Sequence, residues 1–93
     1  MNARALVAWN VRRIRVDRGI PQEQLAYDAG IDRSYLGGIE QQKKNPSIDL
    51  LDRIAKTLDI QLSELFAEPA KGATPPKPMA RGRKPTRPSR NRT

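Results

Sequence analysis

Apolar side chains recur along residues 1–68 with a period of about 3.6 rather than 2, which predicts helices and no strand longer than a few residues. Val7, Val11 and Ile14 fall at i, i+4 and i+7 in a first helix from about Ala3 to Arg18, and Gly19 just past it offers a left-handed C-cap. A short second helix follows Pro21, turns Leu25, Ala26 and Ala29 inward and stops at Gly30. The third begins at Asp32, whose carboxylate suits an N-cap, and buries Leu36 and Ile39. Asn45-Pro46 then breaks the chain, and Ser47 caps a fourth helix with Leu51, Ile54, Ala55 and Leu58 at i, i+3, i+4 and i+7. A last helical turn, about Leu62 to Phe66, supplies Leu62, Leu65 and Phe66 as a lid. The expectation is one compact all-α domain of five short helices over residues 1–68, long enough for a small core.

Charge and proline change the picture beyond residue 68. Residues 1–68 carry ten basic and ten acidic side chains, a balance of zero, whereas residues 69–93 carry eight basic groups and no acid. The whole net charge of +8 therefore belongs to the C-terminal segment, together with six of the eight prolines. Met79 is its only large apolar residue, so it cannot offset the entropy of ordering itself. Residues 69–93 are expected to form a disordered Pro/Arg/Lys-rich tail that seeks a polyanion. The chain has no cysteine and no histidine, which excludes disulfides, thiolate or imidazole metal sites, and nucleophilic schemes needing either residue. Carboxylates are scattered, and no glycine loop is built to cradle phosphate. No enzyme, no metal and no cofactor are expected. The longest apolar run, Ala5 to Trp9, is too short to span a bilayer, and no signal-peptide pattern opens the chain. The expected location is the cytoplasm, in association with the nucleoid, without membrane attachment.

Chemistry concentrates between Gln22 and Ile39. Two short helices cross steeply only where a small side chain lies at their contact and the turn tolerates positive φ. Ala26 is that small residue, and Gly30, four positions later, is the turn. Leu25, Ile31, Leu36 and Ile39 pin the pair onto the other helices. This is helix-turn-helix spacing, which holds one helix proud of the surface for the major groove of DNA.

The run GIPQEQLAYDAGIDRSYLGGIEQQKKNPSIDLLDRIAKTLDIQLSELF closely resembles the lambda-repressor-like helix-turn-helix family of Cro and phage repressor proteins, shared by restriction-modification controller proteins and small bacterial regulators. The resemblance covers about residues 6–66, so it includes helices outside the two-helix motif. It implies five helices and binding of double-stranded DNA, with the chain acting as a homodimer on a two-fold operator. The recognition helix, about residues 32–41, would enter the major groove. Arg33, Ser34 and Tyr35 match its exposed start, where side chains reach base edges. Arg33 leads, because a guanidinium can bond guanine O6 and N7 together. Gly38 matches another groove-facing position but has no side chain to read with. Gln22 matches a glutamine that meets phosphate at a helix N-terminus. Lys43, Lys44 and Asn45 match the loop that follows the phosphate backbone. Arg15 and Glu40 match a salt bridge between the first and third helices.

Several residues depart from the family pattern. Pro21 replaces the usual Ser/Thr cap, though its fixed φ suits a helix entrance. Gly37 and Gly38 each cost about 1 kcal/mol relative to alanine in a helix interior, which predicts a recognition helix that stays soft until DNA orders it. Gln41 and Gln42 replace a common Arg-Gly pair, losing a cation and a favoured C-cap. Asp32 replaces a serine and brings negative charge close to phosphate. These features predict a domain that binds weakly alone and is helped by the tail.

Within the tail, Arg81, Gly82, Arg83 and Lys84, followed by Pro85, resemble an AT-hook core. Such a segment lies in the narrow minor groove of A·T-rich DNA, or else serves only to neutralise phosphates. Trp9 lies off the Val7–Val11–Ile14 stripe, roughly in line with Val16, and is expected to pack half-buried. A transcriptional regulator is the leading reading, with repression favoured over activation and no small-molecule ligand. Two others compete: an antitoxin or other module holding a protein partner, and a nucleoid-type architectural protein preferring A·T-rich DNA.

Overall fold

The computed structural model describes residues 1–75 of the chain. It contains four α-helices, α1 (Ala3–Asp17), α2 (Gln22–Ala29), α3 (Arg33–Glu40) and α4 (Ile48–Leu58), followed by a 3-10 segment, Leu62–Phe66. No strand occurs among the described residues. The AT-hook-like residues Arg81, Gly82, Arg83 and Lys84 lie outside them.

The helix ends follow the punctuation. Asn2 Oδ1 accepts from the Ala5 amide at 2.9 Å to open α1, and Gly19 at φ 67° closes it, with the Ile20 amide reaching back to the Arg15 carbonyl at 2.9 Å. Pro21 opens α2 without a side-chain cap, and Gly30 at φ 70° ends it. Ser47 Oγ accepts from the Leu50 amide at 3.1 Å at the start of α4, whose end is the left-handed Asp59. At the end of α3, Gln42 itself takes the left-handed position at φ 64°, while the Lys43 amide closes onto the Gly38 carbonyl at 2.8 Å. The cap geometry is thus kept without glycine, at a conformational cost of about 1–2 kcal/mol for a residue with a Cβ. Gln42→Gly is therefore expected to stabilise the domain by about 1 kcal/mol and raise its melting temperature by about 4–8 °C. An unchanged or lower melting temperature would mean that the Gln42 side chain makes up the difference.

Val7, Val11 and Ile14 of α1, Leu25 and Ala26 of α2, Leu36 and Ile39 of α3, and Leu51, Ile54, Ala55 and Leu58 of α4 form one buried cluster closed by Leu65. α3 packs on both α1 and α2, α4 packs on α2, and the 3-10 segment bridges α1 and α4. The fifth element differs from the expected helix, and so does its lid. With three residues per turn, Leu62 and Leu65 eclipse one another on one face, and Phe66 is carried about a third of a turn away. Leu65 is fully buried, whereas Phe66 stays 40% exposed.

What fastens this segment is a residue that reads as a polar spacer in the sequence. Asn10 is buried on α1, and its side-chain amide lies 3.0 Å from the Leu6 carbonyl, 3.1 Å from that of Leu65 and 2.9 Å from that of Ala67. Arg13 donates to its Oδ1 at 3.1 Å, so both ends of the side chain are satisfied. Beyond the 3-10 segment, residues 67–75 run beside α1. Trp9 is half-buried there and, with Val16, lines a groove of about 590 Å³ between the helix and this segment.

Candidate nucleic-acid interface

The site is built by fixing α3 against the rest of the domain and leaving Arg33 and Ser34 exposed at its start. Ala26 is buried at the α2–α3 crossing, and the left-handed Gly30 turns the chain between the two helices. On the opposite side, Arg15 of α1 grips Glu40 of α3 through two parallel bonds, Nε to Oε2 at 2.7 Å and Nη2 to Oε1 at 2.8 Å. The third guanidinium nitrogen, Nη1, donates to the Ile20 carbonyl at 2.9 Å. Both side chains are almost wholly buried, so this bidentate pair sets the angle of α3 relative to α1. Gln22 joins it, donating from Nε2 to Glu40 Oε1 at 3.2 Å. The glutamine expected at a phosphate is therefore half-buried and held by the ion pair at the entrance to α2.

At the other end of α3, Asp32 caps the helix. Its Oδ2 accepts from the Ser34 amide at 3.0 Å, the Tyr35 amide at 3.2 Å and the Ser34 hydroxyl at 2.8 Å. The Ser34 hydroxyl bond, followed by the Tyr35 amide, holds the Asp32 carboxyl below the usual carboxylate value. Asp32 thus stands ionised at the positive end of α3, a favourable charge for the helix and a repulsive one for phosphate.

The three expected base-reading residues are not equivalent. The Arg33 side chain is exposed and makes no hydrogen bond or ion pair with the described residues. Ser34 is exposed too, with its hydroxyl proton directed to Asp32. Tyr35 is half-buried against the core, and the Lys44 Nζ stands 5.5 Å from its ring centroid. Lys43, Lys44 and Asn45 are all exposed in the loop after α3.

Gly37 and Gly38 also part company. A Cβ at Gly37 would stand 3.5 Å from Gln22 Oε1, an ordinary contact, so no close approach requires glycine there. A Cβ at Gly38 would fall 2.6 Å from Cγ of Lys44 and 3.1 Å from its Cε. Gly38 is buried because the aliphatic stem of Lys44 lies across it.

A second surface has a different character. Ala3, Val7, Ile39, Ile48, Leu51 and Phe66 line a groove of about 250 Å³ that Arg4 and the Lys44–Asn45–Pro46 turn also border, and Ile48 in it is 72% exposed. Among the described residues, no helix is long and apolar enough to cross a membrane.

Comparison with known proteins agrees with this fold. The family model described as helix-turn-helix matches residues 11–65. A hypothetical transcription factor of Neisseria meningitidis serogroup B is 33% identical over 66 residues, covering 71% of this chain and 62% of that protein. The immunity repressor protein of Bacillus phage phi105 is 40% identical over 62 residues, covering 67% of this chain and 43% of the repressor. The chain thus spans less than two thirds of the length of either relative. Among solved structures, the restriction-modification controller protein C.Esp1396I, as a tetramer with its natural 35 base-pair operator, superposes with a TM-score of 0.65 at 33% identity, covering 71% of this chain and 87% of that one.

Proposed function

The chain belongs to the helix-turn-helix family of transcriptional regulators, and from that premise we propose that it binds a specific double-stranded DNA operator by laying α3 in the major groove. The observation that carries this reading is the pairing of a fixed helix with an exposed arginine and serine at its start. The Arg15–Glu40 clamp holds the C-terminal end of α3, and the Asp32 cap holds its N-terminal end. Arg33 is left exposed between them and free to meet a base edge. Lys43 and Asn45 flank α3 from the following loop, where they meet phosphates of the same groove. Arg33 takes the main reading role, Ser34 a secondary one, and Tyr35 acts mainly by packing. Gln22 meets phosphate only with the part of its amide that Glu40 does not hold.

Operator binding is proposed to be homodimeric. The groove lined by Ile48 and Phe66 is the surface that a second copy covers, which would place two α3 helices on one face of the duplex. Such a dimer requires half-sites about 34–36 Å apart, or a multiple of that spacing. C.Esp1396I on its operator offers the precedent of a related fold assembling on DNA. Occupying a promoter in this way represses it by excluding polymerase, and places the protein on the nucleoid in the cytoplasm. No catalytic step enters this reading.

Selection of bound duplexes from a randomised pool by the full chain tests it. A single palindromic motif is expected, and Arg33→Ala should relax preference at one base pair per half-site, at a cost of about 1–3 kcal/mol on the cognate operator. Equal weakening on all sequences would make Arg33 a phosphate contact. Failure to enrich any motif would remove the reading.

A further inference from the structure

The seat of Lys44 on α3 deepens the proposed function and rests on α3 being the groove-facing helix. Lys44 belongs to the loop after α3, where an exposed lysine ordinarily turns outward toward phosphate. Here its stem folds back instead. The place a Cβ of residue 38 would occupy lies 2.6, 3.1 and 3.4 Å from Cγ, Cε and Cδ of Lys44, so three successive parts of the stem cover that one position. The ammonium at the end of the stem stands 5.5 Å from the centroid of the Tyr35 ring, one turn nearer the N-terminal end of α3 than Gly38. At that distance the face of an aromatic ring attracts a cation and limits where it points. The charge of Lys44 is thereby carried from the loop back over α3, to the ring of Tyr35.

We propose that Lys44 supplies to the major groove the side chain that α3 lacks at Gly38, and so reads a base rather than following phosphate. Glycine at 38 is then what makes the seat, since any Cβ would displace the stem. An ammonium has donors only, which suits the O6 and N7 acceptors of guanine. The recognition surface is consequently composite: Arg33 from the start of α3, and Lys44 from the loop, lying over the middle of the helix with Tyr35 beneath its charge.

The test uses the full chain and its Lys44→Met, Gly38→Ala and double variants. Each is measured against the selected operator and a panel carrying every single base-pair change in one half-site. Lys44→Met keeps the stem and removes the charge; Gly38→Ala keeps the charge and removes the seat. Both are expected to lower discrimination at the same G·C pair from about five-fold or more to less than two-fold, with the double variant no worse than either single one. Thermal melting accompanies the series, and Gly38→Ala should melt no lower than the parent because alanine favours the helix. If Lys44→Met weakens every duplex equally and reduces the salt slope by about one log unit, Lys44 is a phosphate contact and the proposal fails while α3 still reads. Loss of preference in Lys44→Met but not in Gly38→Ala would overturn the seat. If the parent chain selects no motif, both this inference and the reading beneath it fail.

Discussion

Glu40→Ala is expected to destabilise the domain by about 3–5 kcal/mol, because it strands a buried guanidinium without its carboxylate. Arg15 lies 7% exposed at its side chain, and Glu40 supplies both oxygens of the fork at 2.7 and 2.8 Å. Gln22 loses its acceptor in the same change. A domain of this size has only about 5–15 kcal/mol of stability in total, so the loss should show as a large fall in urea midpoint or melting temperature. The pair need not be a net source of stability, since its desolvation cost offsets much of its attraction. Arg15→Met combined with Glu40→Leu should therefore recover most of the loss. A penalty below about 1 kcal/mol for Glu40→Ala would mean that Arg15 finds another partner or reaches solvent. Operator binding by the refolded apolar pair then asks a separate question: whether the angle of α3 depends on the fork or only on the core beneath it.

The fold was legible wherever one residue type has one local meaning. Gly19 and Gly30 mark chain reversals because positive φ is cheap for them, and Asp32 and Ser47 mark helix starts because their oxygens accept from the second or third amide onward. The helical stripe of Leu51, Ile54, Ala55 and Leu58 allows only one face inward. Of the candidate site, the Arg15–Glu40 ion pair was legible through the family resemblance, which places a salt bridge between the first and third helices at those two positions. Three features were not. Asn10 is polar on an otherwise ordinary helix face, and the carbonyls of Leu65 and Ala67 that explain it are 55 and 57 residues away. Lys44 and Gly38 read separately as a loop cation and a weak point in a helix. Their meaning is joint, and depends on the path of a loop that turns through a left-handed Gln42 without announcing it by glycine. Phe66 was misplaced for a simpler reason. Apolar residues at 62, 65 and 66 suit an α-helical face, but a 3-10 turn aligns only the first two.

Cutting the chain after Pro75 is expected to leave the selected operator motif unchanged while removing most of the salt dependence of binding. That cut keeps residues 67–75 beside α1 and the fastening of Leu65 and Ala67 to Asn10. It removes residues 76–93, which hold seven of the eight tail cations and no acid. Each cation that neutralises a phosphate of B-DNA contributes about 0.9 to the slope of log affinity against log salt, so the slope should shrink by at most about 6. Between 50 and 200 mM salt this ceiling corresponds to nearly four orders of magnitude in affinity at low salt, with far less lost at high salt. Filter binding or fluorescence anisotropy across that range would measure it, with a scrambled duplex alongside. A parallel fall on operator and scrambled duplex would assign the tail to phosphate attraction. A fall confined to A·T-rich flanks would assign it to minor-groove reading through Arg81 and Arg83, since only there is the groove narrow enough to favour inserted cations over bulk phosphate. If the shortened chain instead lost the motif altogether while the full chain enriched A·T-rich DNA of any sequence, specificity would reside in residues 76–93. The fixed α3 would then serve to orient that reader, because Arg33 and Lys44 would have no base preference to contribute.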